Sequence, residues 1–407
     1  MHFAFSRFSL AIPCRMLYNM PMVKIGFLQR CLMSALVSVH RRSVGRLELN
    51  ARTIIIKEPR EDCHLNILLV EPNYKNKYPP MGLMKISTYH KGLGDRVLFY
   101  KGFMEQNDFL RGDYDRVYIT SLFTFYYEIT LNTIRYYAGM IEPERIFVGG
   151  IMVTLMEDRL SADLNSGVVL LKGLLDDSSA IGYADNINVD TLPLDYSILD
   201  DVSFTYSAGD NFFAYLSRGC TNKCEFCAVP ILEPNFCLTN NIIRQIATIK
   251  ETFGEKQNLL LLDNNILSLE IEELQAVVDD LQSLGFCINA KYYAELPLLA
   301  YIRKLSLAEA GSVSHNRILQ ELLDYLHKKS NTRKSKNYQE KYMQLISQLD
   351  EQDDKLAFIE KHLDVLTEIL GYYHKPVGRK RTVDFNQGID ARQLTEKKMA
   401  ILSQLPI

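Results

Sequence analysis

The 407 residues carry 46 Lys and Arg against 49 Asp and Glu, a formal net charge of −3, with 47% of positions apolar and 23% charged. That composition fits a soluble chain of about two or three domains, and its charge gives no global reason to expect nucleic acid or an anionic membrane as partner. No apolar run reaches the roughly 18 residues of a membrane-spanning helix, and eight cysteines in so long a chain are too few for a disulfide scaffold.

The first 47 residues hold six Arg and Lys24 but no acid before Glu48. A transit peptide has this basic texture. Everything from Leu65 onward reads as a cytosolic enzyme, which favours a poorly ordered extension over 1–64 or an upstream start codon.

Short apolar runs alternating with helical patterns begin at Asn66, the rhythm of a parallel sheet with crossover helices. Strands are expected over 66–70, 96–100, 116–120, 145–148 and 168–171, with helices over 81–91 and 130–140. Gly92 and Gly94 are expected to end the first helix. Five strands in this rhythm predict an α/β, flavodoxin-like doubly wound domain over 65–184, with ligands at the carboxyl ends of its strands. The stretch 185–210 lacks periodicity and reads as a linker.

A second α/β series follows over 211–407. Its strands are expected over 212–216, 258–262 and 382–385, and its helices over 242–253, 270–284 and 395–405, the last with Thr395 as N-cap. Helical patterning at 318–327 and 338–370 interrupts the series, marking an inserted helical segment over about 290–378. Basic clusters at 328–336 and 379–381 read as solvated loops, since no aromatic residues interleave the first to stack on bases.

Three of the eight cysteines, Cys220, Cys224 and Cys227, crowd onto one loop between an apolar strand and a helix. Three thiolates can hold three irons of a 4Fe-4S cube, leaving the fourth iron open to the amino and carboxylate groups of a small molecule. Free thiolates place the protein in a reducing cytoplasm. The competing reading is zinc, with Cys237 as a possible fourth ligand, though a zinc ribbon would show two separated cysteine pairs. Cys14, Cys31, Cys63 and Cys287 read as ordinary thiols.

The loop Arg218-Gly219-Cys220-Thr221-Asn222-Lys223-Cys224-Glu225-Phe226-Cys227-Ala228-Val229-Pro230 resembles the radical SAM superfamily well beyond its cysteines. The resemblance implies an enzyme that binds a 4Fe-4S cluster and S-adenosylmethionine and reductively cleaves the latter to a 5'-deoxyadenosyl radical, with a flavodoxin or ferredoxin as reductant. It implies that Phe226 lies against the adenine. Asp263-Asn264-Asn265 stands where the family has a Gly-Gly-Glu motif for the cofactor's amino group, and supplies acceptors suited to an ammonium. Arg392 resembles an arginine found after the third strand, where it contacts substrate or cofactor or pairs with Asp390.

Asn66 to Asn73, Tyr78-Pro79-Pro80-Met81-Gly82-Leu83 and Gly149-Gly150 resemble the cobalamin-binding-type domain of one branch of this superfamily. The histidine of that branch's Asp-x-His-x-x-Gly motif is missing, which argues against cobalamin and for a retained Rossmann-like scaffold. The chain supplies about three strand-helix units before Ile407, fewer than a radical SAM barrel. The resemblance therefore implies a partial barrel, and the alternative to a catalyst is a truncated metal-binding protein, iron-sulfur or zinc, without turnover. Nothing identifies a substrate, small or macromolecular.

Overall fold

A computed structural model describes residues 64–239, 242–330, 336–373 and 379–407. The basic extension, with Cys14, Cys31 and Cys63, and part of the 328–336 cluster lie outside the described residues. Five strands open the fold: β1 (Asn66–Glu71), β2 (Arg96–Lys101), β3 (Arg116–Ser121), β4 (Ile146–Gly150) and β5 (Val169–Leu171). They form one parallel sheet in the order β2-β1-β3-β4-β5. Its helices are α1 (Met81–Leu93), α2 (Gln106–Gly112), α3 (Tyr127–Ala138) and α4 (Ile151–Leu164).

The unbroken apolar run of β1 follows from burial on both faces. Ile67 and Leu69 face one core with α1, while Leu68 and Val70 face another with α3 and α4. Helix α1 runs through Gly92 and stops at Gly94, whose φ of 89° is the left-handed C-cap that glycine adopts without strain. Helices α2 and α4 were not anticipated. The first is only about two turns long, and the second opens on an apolar run continuous with β4, where no polar N-cap marks the change of period.

The second series comprises β6 (Asn211–Ala214), β7 (Ser217–Arg218), α5 (Val229–Leu232), β8 (Cys237–Leu238), α6 (Ile242–Phe253), β9 (Asn258–Leu261) and α7 (Ile271–Ser283). After β10 (Lys291–Tyr292) come α8 (Pro297–Leu307), α9 (Val313–Ser330), α10 (Lys336–Asp350), α11 (Lys355–Lys361) and α12 (Leu363–Tyr373). The chain returns through β11 (Arg379–Lys380) and β12 (Val383–Phe385) to α13 (Glu396–Leu402), which Thr395 caps by accepting the Lys398 N–H. Strands β6, β9 and β12 lie side by side and parallel, with β9 central.

Two expectations are revised. The strand expected over 212–216 breaks after Ala214, because Ser217 and Arg218 leave the sheet to pair antiparallel with Leu238 and Cys237. The stretch expected as a linker is buried in part. Val189, Leu194, Tyr196, Ile198 and Tyr206 join the core shared by α1 and the second sheet, Val189, Tyr196 and Ile198 from short 3-10 turns, with no regular period.

The helical insertion has a core of its own, including Leu298, Leu322, Leu326, Ile359 and Leu370. The pattern read as one stretch over 338–370 divides into three helices, with Asp354 capping α11 through the Ala357 N–H at 3.0 Å. At the base, β10 and β11 form a two-residue antiparallel ladder that brings the ends of the insertion together.

Candidate metal and cofactor site

The cysteine loop leaves the sheet at the carboxyl end of β6, and the β7–β8 ladder closes its base. Gly219 begins it at φ 73°, and a Cβ there would stand 2.3 Å from the Asn235 carbonyl oxygen, so the position tolerates only glycine. Cys220, Cys224 and Cys227 are half-buried, whereas Cys237 and Cys287 are exposed. The Asn222 N–H points at Cys220 Sγ (3.4 Å), and the Cys227 N–H donates to the Cys224 carbonyl (3.0 Å). Among the described residues no three His, Cys, Asp or Glu side chains are gathered as a ready-made metal cage. Three thiols on one short loop are nonetheless the donor set of an open-cornered cubane.

Side chains from the ends of the other two strands reach this loop. From beyond β9, Ser268 Oγ bonds Thr221 Oγ1 at 2.9 Å. From beyond β12, Asp390 accepts from Asn222 Nδ2 at 2.7 Å. Arg392 pairs with Asp390 at 2.8 Å and approaches Cys224 Sγ at 3.6 Å. The Arg392 hydrogen bonds hold the Asp390 carboxyl down at about 2.

The three acceptors expected to meet an ammonium have different fates. Asp263 is buried, and its oxygens accept from the Leu216 N–H (3.1 Å), the Ser217 N–H (2.6 Å) and the Ser217 hydroxyl (2.7 Å). Asn265 is buried too, donating to Gln393 Oε1 at 2.7 Å and accepting from the Asp390 N–H at 3.2 Å. Both are spent on the fold. Asn264 donates to Glu233 Oε2 at 2.8 Å, and among the described residues its side-chain oxygen keeps no partner. Phe226 is 93% exposed on the loop, a placement that core packing does not explain.

Sequence reasoning passed over a buried row of charge behind the loop. Lys85 on α1 pairs with Asp190 at 2.7 Å, Arg218 pairs with Asp190 at 2.6 Å, and Arg218 also pairs with Glu233 at 3.0 Å. The Arg218 guanidinium lies 3.4 Å from the centre of the Tyr215 ring. Burial acts to raise the Asp190 carboxyl, but Lys85 and Arg218 outweigh it and hold it below its ordinary value. Burial pushes the Lys85 ammonium down. The one local signal was Arg218 standing directly before the glycine and first cysteine.

On the first sheet, Glu71 ends β1 in a pair with Lys101 at 2.6 Å and accepts the Tyr206 hydroxyl. Tyr78, from the motif before α1, donates to Asn386 at the end of β12. Gly150 has φ 111°, and a Cβ there would stand 2.1 Å from the Ser121 carbonyl oxygen, so β3 and β4 meet closely where they end.

No family model matches the chain, and no curated protein does. Among solved structures it is similar to the radical S-adenosylmethionine methyltransferase TsrM from Kitasatospora setae with cobalamin and a 4Fe-4S cluster bound, at 13% identity and TM-score 0.39, covering 54% of this chain and 53% of that one. The same enzyme with tryptophan substrate and the SAM analogue aza-SAM bound gives 14% identity and TM-score 0.37, over 53% and 51%. The cobalamin-dependent S-adenosylmethionine radical enzyme OxsB, in an apo form, gives 14% identity and TM-score 0.34, over 60% and 42%. The chain thus spans about half the length of the TsrM structures and less of OxsB. Cobalamin is bound in the first of these.

Proposed function

We propose that this chain is a radical SAM-type protein whose Cys220, Cys224 and Cys227 hold a 4Fe-4S cluster. One observation carries the reading: three thiols stand on a loop at the carboxyl end of β6 whose Thr221, Asn222 and Cys224 meet side chains from beyond the ends of β9 and β12, the face where parallel α/β sheets bind ligands. The first sheet, in its 2-1-3-4-5 order, is then a flavodoxin-like doubly wound scaffold, and the second is part of a (β/α) barrel. Held by these three thiolates, a cluster would supply an electron, drawn from an external reductant, for breaking a carbon–sulfur bond of S-adenosylmethionine.

The chain's own residues do the rest. Asn264 offers its free side-chain oxygen to the cofactor's ammonium, Phe226 offers a ring face to its adenine, and Arg392 sets a positive charge beside Cys224. Cys220, Cys224 and Cys227 would hold the cluster, and metal affinity and the folding of their loop would then be one free energy. A reductant of the flavodoxin or ferredoxin kind and a reducing cytoplasm follow from the same chemistry.

Anaerobic reconstitution with iron and sulfide, reduction and S-adenosylmethionine should yield 5'-deoxyadenosine. A fully loaded cluster that gives none would sink catalysis by this chain. A second reading, metal binding without turnover, is favoured by Cys237, which lies opposite Arg218 across the β7–β8 ladder and is exposed. Cys224→Ala should abolish the brown absorption while Cys237→Ala leaves it. Zinc in place of iron, released by Cys237→Ala, would establish the second reading.

A further inference from the structure

We infer that Glu233 is the positioning residue of the cysteine loop, holding its first turn through the backbone N–H of Gly219. The inference rests on the reading of this loop as a cluster site. Three donors from two separate stretches of chain converge on one carboxylate: Gly219 N–H at 2.6 Å and Asn264 Nδ2 at 2.8 Å on Oε2, and Arg218 at 3.0 Å on Oε1. The Glu233 side chain is only 13% exposed, so these bonds are sheltered from water. Gly219 directly precedes Cys220, and its left-handed backbone fixes where that N–H points.

The grip extends beyond the loop. Lys85, Asp190, Arg218 and Glu233 form a row of alternating sign with balanced charge, so α1 is tied to the amide just before the first cysteine. Asn264 adds the end of β9 to the same point. Glutamine cannot replace this carboxylate. Its single oxygen would serve one side, and its amide nitrogen would turn a donor against another donor.

The test begins on the full-length chain without metal, by measuring iodoacetamide alkylation of each cysteine by mass spectrometry. The rate at Cys220 is taken relative to the exposed Cys287. In Glu233→Gln the ratio should rise about tenfold, the effect of losing one charge-assisted hydrogen bond from the closed loop. Asn264→Ala, which removes one donor, should move it less in the same direction. An unchanged ratio in folded Glu233→Gln overturns the inference, and so does a rise shared equally by Cys287, which would report general loosening. If Glu233→Gln does not fold, Asn264→Ala decides alone, and an unchanged ratio there overturns it. After loading with iron and sulfide, Glu233→Gln should also alter the electron paramagnetic resonance signal of the reduced cluster, while Cys287→Ser does not. A wild-type chain that takes up no iron sinks the cluster reading but leaves the alkylation result standing.

Discussion

The carboxylate of Asp263 accepts the backbone N–H of Ser217 at 2.6 Å and its hydroxyl at 2.7 Å, bridging the end of β9 to the step between β6 and β7. That step is where the chain leaves the sheet for the cysteine loop, so a buried acid from one strand sets the departure of its neighbour.

Asp263→Asn keeps the volume but replaces an acceptor with a donor facing a backbone N–H. Leaving a buried donor unsatisfied costs about 1–3 kcal/mol, so the urea midpoint should fall by that equivalent. An unchanged midpoint would show that the bridge contributes nothing to stability.

Arg218→Met should be the more damaging change. It leaves the largely buried Glu233 without its cation and Asp190 with Lys85 alone. Breaking such a network from one side costs about 3–5 kcal/mol. Lys85→Met, which leaves Asp190 paired with Arg218, should cost less, and the two variants can be ranked in one denaturation series.

Acid should weaken the fold in two stages. His90 is buried, with Nδ1 at 2.7 Å from Asp95 and Nε2 at 3.0 Å from the Tyr118 hydroxyl, and burial holds it below its ordinary 6.5. The native state therefore binds this proton less readily than the unfolded chain. Its contribution is present above about pH 6.5 and is lost as pH falls through the lower native value. Asp190 is also held below its ordinary value, so its contribution persists to lower pH and disappears only as pH drops past 3.8 and through the native value. His90→Gln should flatten the first stage and leave the second, as read by thermal midpoints across pH.

Sequence made visible what has a regular period or a local spacing. Strands β1 and β9 are short apolar runs, α6 has a strong amphipathic pattern, and the three cysteines announce themselves by proximity. What escaped depends on partners far along the chain. Asp263 reads as an acceptor for a ligand until Leu216 and Ser217, more than forty residues earlier, are seen to occupy it. Glu233 carries no motif, and its role exists only because Gly219, Asn264 and Arg218 converge on it in space. The buried part of 185–210 was hidden for the opposite reason, since 3-10 turns bury apolar residues without the repeat that pattern reading detects.

The ladder between Lys291–Tyr292 and Arg379–Lys380 makes the described helices between them a cassette whose two ends meet, tied to the rest of the fold through Lys304–Asp200 and Ser314–Asp201. Because entry and exit stand side by side, a short hairpin turn could replace that cassette without shifting β9 or β12. The helical segment can thus change in length or shape while the strands that lead into the cysteine loop stay as they are.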